Sequence, residues 1–581
     1  MKLSKLNELK VSRDLVDVFR GYNHNLRIGA GEFYDMKNLS SDNYPVLSPR
    51  RLRGIYATPS APKALISKNE LCYVDGGDLV IGKGDEEKRI AIELNDEPKT
   101  LVSMGAYIII LPDKKYINTA KLEEFGDIEA EMTTASEVTF KLCKLDGVEY
   151  DDAVIGDTAP EEPDNMALWV DTSSTPHTLK QYSASTDMWV SIPTTYIKVA
   201  CKGIGEPFNE GDGVTIEGIE DESLTDLNNA MVIEAKGDDF IVVTGLLDKV
   251  VKQSTPIKVS RKMPIMDFVI EAGNRLWGCR YGEALNGEVV NEIYASKLGD
   301  FKNWNCFAGI STDSYAATVG TDGAFTGAID HLDYPLFFKE NCMHKVYGNY
   351  PANYQIQTTT CRGVQKGCEK SLATVNEVLY YKSRSGVCAY DGSLPSEIST
   401  VFGDETYYNA VAGSLGNKYY VSMSDDKDMW HLFVYDASKG MWHKEDDTQA
   451  VAFCTHKGDL FYIDYADKQI KSVKGTGVVE GSMIRWSATS GLIGTDSPDK
   501  KYISRMDVRM SLQAGSRVSF YAEYDSSGEF EYLFTMDGIK LQTFAVPIRP
   551  KRCDHMRIKI VGYGDAKIHS ICKNIEKGSD S

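Results

Sequence analysis

Runs of three to five aromatic or β-branched residues recur along the chain, each closed by a turn and followed by a second short run. Leu71-Cys72-Tyr73-Val74 precedes Leu79-Val80-Ile81, and Tyr107-Ile108-Ile109-Ile110 precedes Lys115-Tyr116-Ile117. The same phrase returns at Leu276, Leu336, Leu379, Tyr420 and Leu460. Runs this short, bounded by Gly, Asn and Asp, predict strands and hairpins. Anchored at Leu71, Ile108 and those five positions, the copies are spaced by 37, 168, 60, 43, 41 and 40 residues. Four steps lie near the ~40–45 residues of a four-stranded propeller blade. Setting aside residues 134–262 shortens the step of 168 to 39 and restores the period. An apolar run precedes each copy, as at Phe268-Val269-Ile270 or Val451-Ala452-Phe453, and a fourth strand follows some, as at Met441-Trp442-His443. The pattern predicts an all-β chain with a seven-bladed β-propeller, six-bladed if the 37-residue first copy is an irregular closing strand.

The flanking segments read differently. Residues 134–262 carry a polar, Pro-containing stretch from Asp151 to Asp164 and then two small β units. One runs from Leu168 to Val199 and the other from Gly213 to Val243, together an inserted β module leaving through a surface loop. After Ser482 the period stops, while Met506, Val508, Met510 and Leu512 alternate with polar residues, the mark of sheets with one wet face. A C-terminal β-sandwich is the economical reading. The domain plan is thus 1–60 an irregular N-terminal arm with a short helix between Leu6 and Phe19, 61–133 and 263–482 the two parts of the propeller, 134–262 the inserted module, and 483–581 the sandwich.

Composition narrows the function classes. The 581 residues are 42% hydrophobic, enough for several cores, and the formal charge is −20. Such a field disfavours sequence-specific nucleic-acid binding. No run of 18 apolar residues occurs and Met1–Lys10 lacks an apolar signal core, so neither membrane insertion nor secretion is expected. Twelve cysteines form no C-x-x-C pair and nine histidines form no metal-ligand spacing, so buried thiols and no cofactor are expected. Gly77–Gly84 falls one residue short of a phosphate-binding loop, since Gly84 stands where Ser or Thr would hold magnesium. Asp75, Asp113, Asp391, Asp436 and Asp464 lie at strand corners, where tight turns select Asp anyway. No G-x-S-x-G elbow and no S-x-D-x-G-x-x-W box is present, and the search predicts no enzyme. Arg50, Arg51 and Arg53 form one basic cluster, and Arg549, Lys551 and Arg552 a second. Each reads either as a contact for an acidic partner or a DNA phosphate, or as a loop paired with the chain's own carboxylates. Trp169, Trp189 and Trp304 read as exposed anchors for a partner or sugar, or as plugs of small β cores.

Several phrases carry a family likeness. Gly31-Glu32-Phe33-Tyr34-Asp35-Met36-Lys37-Asn38-Leu39, running through Tyr44 into Pro45-Val46-Leu47-Ser48-Pro49-Arg50, resembles the opening of bacteriophage virion propellers. The blocks Gly323–Asn341, Gly386–Gly392 and Phe433–Glu445 are similar to the same group, the tail-hub or packaged-DNA-stabilisation proteins of short-tailed phages and their relatives in Gram-positive hosts. The likeness covers roughly residues 20–133 and 263–570. It implies a virion structural protein at the head-to-tail junction or tail, assembled in the host cytoplasm. It also implies a homo-oligomeric ring whose partners are portal, adaptor or tail proteins, with packaged DNA a passing, non-specific neighbour. The rival readings are a receptor-binding tail protein that recognises a host glycan through the inserted or C-terminal β domain, and a polysaccharide-degrading enzyme. Candidate interface residues are Phe33, Tyr34, Tyr44, Arg50, Arg51, Arg53, Trp169, Trp189, Arg549, Lys551 and Arg552.

Overall fold

The computed structural model describes residues 11–577 apart from 151, 285, 286, 480, 482, 497 and 539. The chain is all-β, with a few short 3-10 segments of three to six residues among its strands. Among the described residues, six four-stranded meanders and a seventh sheet of five strands carry the repeat. They span 62–91, 100–127, 268–318, 325–360, 373–397, 407–444 and 450–472, the last taking its fourth and fifth strands from Gly54–Ala57 and Val478–Val479. In each, a strand of almost wholly buried residues sits second, as at Leu71–Asp75, Val378–Lys382 and Asp459–Asp464. Strands buried on both faces read as continuous apolar runs, which is why these runs set the period.

Two compact units result. One takes the chain up to Lys99, Phe338–Met343 and Thr359 onward. It holds the meanders at 62–91, 373–397, 407–444 and 450–472 together with the sandwich. The first sixty residues are not an irregular arm within it. Val11–Val16 is a strand paired along its length with Ala566–Lys577, and Glu32–Lys37 pairs with Arg485–Ser490. Gly54–Ala57 lies against Ile470–Ser472 and completes the last meander. The expected helix is therefore corrected over Val11–Val16, and Leu6–Lys10 lie outside the described residues. A six-residue segment carries too few turns to hold a helix alone, whereas a waiting sheet edge satisfies every other backbone group at once.

The sandwich has one sheet ordered Val11–Val16, Ala566–Lys577, Lys501–Leu512, Gln542–Val546. Its second sheet runs from Gly21–Tyr22 and Glu32–Lys37 through Arg485–Ser490, Met556–Tyr563 and Arg517–Tyr524 to Glu531–Asp537. Met506, Val508, Met510, Val518 and Ile558 are buried between polar neighbours, the alternation of a half-wet sheet. Trp486 is fully buried, and its indole N–H donates to the Gly564 carbonyl at 3.0 Å. Its ring lies over Gly562, where an added Cβ would stand 1.9 Å from Trp486 Cε2.

The second unit holds the meanders at 100–127 and 268–318, the inserted module and, of the 325–360 meander, residues 325–337 and 344–358. The module starts slightly earlier than its composition suggests. Ala130–Thr133 pairs antiparallel with Lys258–Arg261, so chain entry and exit lie side by side. Its body is a four- and a five-stranded sheet around Phe140, Val199, Ile216, Val243 and Val259. Tyr196–Ala200 belongs to this body, paired with Val138–Cys143 and Phe240–Thr244, and not to the unit beginning at Leu168. Val154–Ser191 forms a separate four-stranded sheet, an excursion between two paired strands of the body. Of the two readings of Trp304, exposed anchor or core plug, the structure shows the plug, buried with Met104, Ile109 and Leu276.

Gly562→Ala is expected to destabilise the chain by about 2–3 kcal/mol, because neither the Trp486 ring nor the sheet backbone can move away. Guanidinium unfolding followed by tryptophan fluorescence measures this, and an unchanged midpoint would place Trp486 elsewhere.

Candidate functional site

The chain between Asn38 and Arg53 is held by short polar links. Asn38 adopts a left-handed backbone (φ 57°), a region that Asn tolerates better than most residues. There its N–H donates to the Glu445 carbonyl, its carbonyl accepts from Arg50 N–H at 2.9 Å, and its Nδ2 donates to the Arg485 carbonyl at 2.8 Å. Arg50 Nε donates to Asn38 Oδ1 at 2.8 Å and Arg50 NH2 to Asp446 at 2.8 Å. Arg53 is buried and pairs with the equally buried Glu445. Burial works against the Arg53 charge, but Glu445 and Asp446 outweigh it and hold the guanidinium above its ordinary pKa. Burial alone would raise Asp446, yet Arg50, Arg53 and Thr448 hold its carboxyl below the usual range. One guanidinium atom, Arg53 Nε, is buried with no hydrogen-bond partner.

These residues wall a cleft of about 470 Å³, closed on the other side by 415–420, 436–439 and 473–474. Its lining has six basic side chains, Arg50, Arg51, Arg53, Lys418, Lys439 and Lys474, against three acidic ones, Asp42, Asp436 and Glu445. A larger cleft of about 690 Å³ beside Val11–Val16 has Lys501, Lys573 and Lys577 balanced by Asp14, Glu32 and Asp496, so charge excess singles out the first. Each acid of the basic cleft is engaged. Lys418 donates to Asp42 at 2.6 Å, and Ser41 and Ser438 donate to Asp436 at 2.6 and 2.7 Å. Burial pushes the Asp42 and Asp436 carboxyls upward, and these donors bring both below the ordinary value. Arg51 is 70% exposed and reaches a carboxylate only at 4.0 Å, on Asp42. Lys439 lies 5.6 Å from the centre of the Tyr44 ring, and Lys474 donates to the Gly458 carbonyl at 2.6 Å.

The sequence therefore located one wall of the cleft in Arg50, Arg51 and Arg53, and Tyr44 beside it. It missed Asn38 as the hinge, Glu445 and Asp446 as the partners, and the three lysines, which lie too far apart in sequence to form a cluster. The other candidates lie elsewhere. Phe33 is buried against Phe19, which leaves it no surface to offer a partner. Tyr34 is covered by His24 on one contact and by Arg557, 4.3 Å from its ring centre, on another. Trp169 is buried in the Val154–Ser191 sheet under Trp189 and Lys180, and its N–H donates to the Gly156 carbonyl at 3.0 Å. Trp189 and Tyr182 form the more open part of that group, 5.4 Å between ring centres. Arg549 and Arg552 are exposed, and Lys551 pairs with Glu531 and lies 4.8 Å from the Tyr524 ring centre.

The corner aspartates build turns. Asp391 and Asp436 each accept from the N–H and hydroxyl of the serine two residues on, and Asp464 accepts from Ala466 N–H. Asp75 is tied to Ala61 N–H, Ser60 and Arg89. Gly84 opens a single 3-10 turn that no strand-to-helix junction follows. Among the described residues, no group of three or more His, Cys, Asp or Glu is placed to hold a metal ion, and no helix is long and apolar enough to cross a membrane.

No family model and no curated protein matches the chain. Solved structures do. It is similar to an exo-β-1,3-galactanase from Phanerochaete chrysosporium at 10% identity and a TM-score of 0.21, over 52% of this chain and 94% of that one. A Trypanosoma rangeli sialidase matches at 9% identity and a TM-score of 0.21, over 98% and 96%. An acylaminoacyl peptidase from Pyrococcus horikoshii matches at 8% identity and a TM-score of 0.24, over 54% and 55%. These values transfer no reaction and no substrate. The expectation that the chain is no enzyme is corrected by these matches, which are a galactanase, a sialidase and other glycoside hydrolases.

Two outcomes follow from the buried charges. Arg53→Met and Glu445→Gln should each cost about 3–5 kcal/mol by stranding the partner, and the double variant less than their sum, in a double-mutant cycle by chemical denaturation. His443, buried beside Lys418, is pushed by burial first and by that lysine second down to about 3. The unfolded chain therefore binds a proton that the folded chain refuses, so this stability is complete above about pH 6.5 and drains as pH falls towards the folded value. Between pH 7 and 5 the chain should lose about 2 kcal/mol. His443→Gln should flatten that window, and an unchanged slope would contradict a neutral buried ring.

Proposed function

We propose that this chain is a structural component of a bacteriophage particle, a tail hub or connector at the head-to-tail junction that helps to retain and conduct packaged DNA. One observation carries the reading. The N-terminal phrase that gives part of the family likeness also locks the first unit mechanically. Glu32–Lys37 supplies a sandwich strand, Asn38 ties that strand's end to Glu445 and Arg485, and Leu47 exchanges both backbone bonds with Ile568 at 3.1 and 2.9 Å. Arg50 then reaches Asp446, and Gly54–Ala57 closes the last meander. A segment woven through several sheets resists being pulled apart, because no sheet is released until the shared segment leaves all of them. The net charge of −20 supports the DNA-conducting part: an acidic wall gains no counterion release from a passing phosphate backbone.

Electron microscopy of purified particles tests the proposal. The chain is expected as a symmetric ring on the tail axis or at the head-to-tail junction, and mass spectrometry should find it in washed particles. Its absence from them would overturn the reading, and a position only on distal fibres would favour receptor binding instead.

A further inference from the structure

We propose that the cleft between 38–53 and 415–474 is a binding site for a small oxyanion ligand, carrying phosphate or carboxylate groups, held by Arg51, Lys439 and Lys474. The argument starts from charge balance. This chain has 84 acidic side chains against 64 basic ones, so a basic group on its surface has no shortage of carboxylates to pair with. In this cleft the acids are committed elsewhere: Asp42 to Lys418, Asp436 to two serine hydroxyls, Glu445 to Arg53. Among the described residues, three cations are left facing one concavity with a single carboxylate contact between them, at the 4.0 Å limit. A guanidinium fork and two ammonium points suit an oxyanion, the fork by paired hydrogen bonds and the lysines by point charge.

The second observation is independent of those three. Arg53, 3% exposed in the wall of the same cleft, keeps its buried Nε without a hydrogen-bond partner. That donor lies behind the cleft wall, out of reach of a direct hydrogen bond, and its incompletely satisfied positive end adds to the field that favours an anion in front of it. Size and sign point to a small ligand. About 470 Å³ suits a compact molecule, and the acids of the lining oppose a long polyanion. The inference concerns the isolated chain and does not rest on the virion reading, so either can fail alone.

Thermal melting and calorimetry of the full chain, purified without phosphate, test it with inorganic phosphate and with citrate at constant ionic strength. A saturable rise in Tm with either probe is expected, and the better of the two identifies the source chemistry. Arg51→Ala with Lys439→Ala should weaken that binding about ten-fold or more, while leaving the ligand-free melting temperature nearly unchanged because Arg51 lies at the surface. Lys474→Ala supplies a second variant should the first lose stability. A rise that sodium chloride reproduces, or an affinity indifferent to both variants, would overturn the site. Single-stranded DNA binding that tightens with oligonucleotide length and exceeds phosphate would overturn it as well.

Discussion

The first unit depends on a buried charge pair, Arg53 with Glu445, placed where the chain's beginning meets the end of the 407–444 meander. Such a pair adds little net stability, since desolvating both ions consumes most of their attraction. Its effect is on alternatives. If residues 38–57 slid along their neighbours, Arg53 would leave Glu445, Arg50 would leave Asp446, and Asn38 would leave Arg485, each loss leaving a buried polar group without a partner. Short strands such as Leu39–Ser40, Ser48–Pro49 and Gly54–Ala57 have too little alternation to fix their own register. The charges supply it.

The same segment solves a problem that repeated sheets create. A meander ends in a strand with one row of unpaired backbone groups, a template for pairing with another chain. The last meander is covered by Gly54–Ala57, which is itself paired on its far side by Val478–Val479. In the sandwich Val11–Val16 shields Ala566–Lys577 in the same way. Residues distant in sequence are thereby made to depend on one another, and this part of the chain gains cooperativity. The buried His443 belongs to this arrangement: Gly21 (φ 86°) packs so closely on the adjacent Trp442 that an added Cβ would lie 2.2 Å from its carbonyl oxygen. A larger residue at that crossing would lift the N-terminal segment from the meander.

How much of this was legible follows from what the sequence encodes locally. The buried strands at Leu71, Ile108, Leu379 and Leu460 are continuous apolar runs, so the period and the all-β class could be read directly. The alternation at Met506–Leu512 likewise announced a half-wet sheet. What stayed hidden is pairing at long sequence distance. Nothing local says that Val11–Val16 should meet a strand more than 550 residues away, and its leading segment reads equally well as a helical turn. The cleft was half visible for the same reason. Arg50, Arg51 and Arg53 stand together in sequence, while Lys418, Lys439 and Lys474 join them only through folding. A basic triplet reads as surface, and only the structure shows that Arg53 is interior.

The inserted module shows how an excursion this long leaves the repeat intact. Its first and last strands, Ala130–Thr133 and Lys258–Arg261, are hydrogen-bonded neighbours, so the host receives the chain back beside the point where it left. The root is pinned by Arg261, which pairs with buried Asp212 and donates to the Ile128 carbonyl. Asn303 of the neighbouring loop donates to Asp212 at 2.9 Å and accepts from Gly213 N–H. The same device is used again inside the module, where Val138–Cys143 and Tyr196–Ala200 pair across the departure of the Val154–Ser191 sheet. Loop closure entropy grows only with the logarithm of loop length, and here each closure is made by strand pairing at the base. Length added beyond such a base therefore costs the host little, whereas an alteration at Arg261 or Asp212 acts on the host itself.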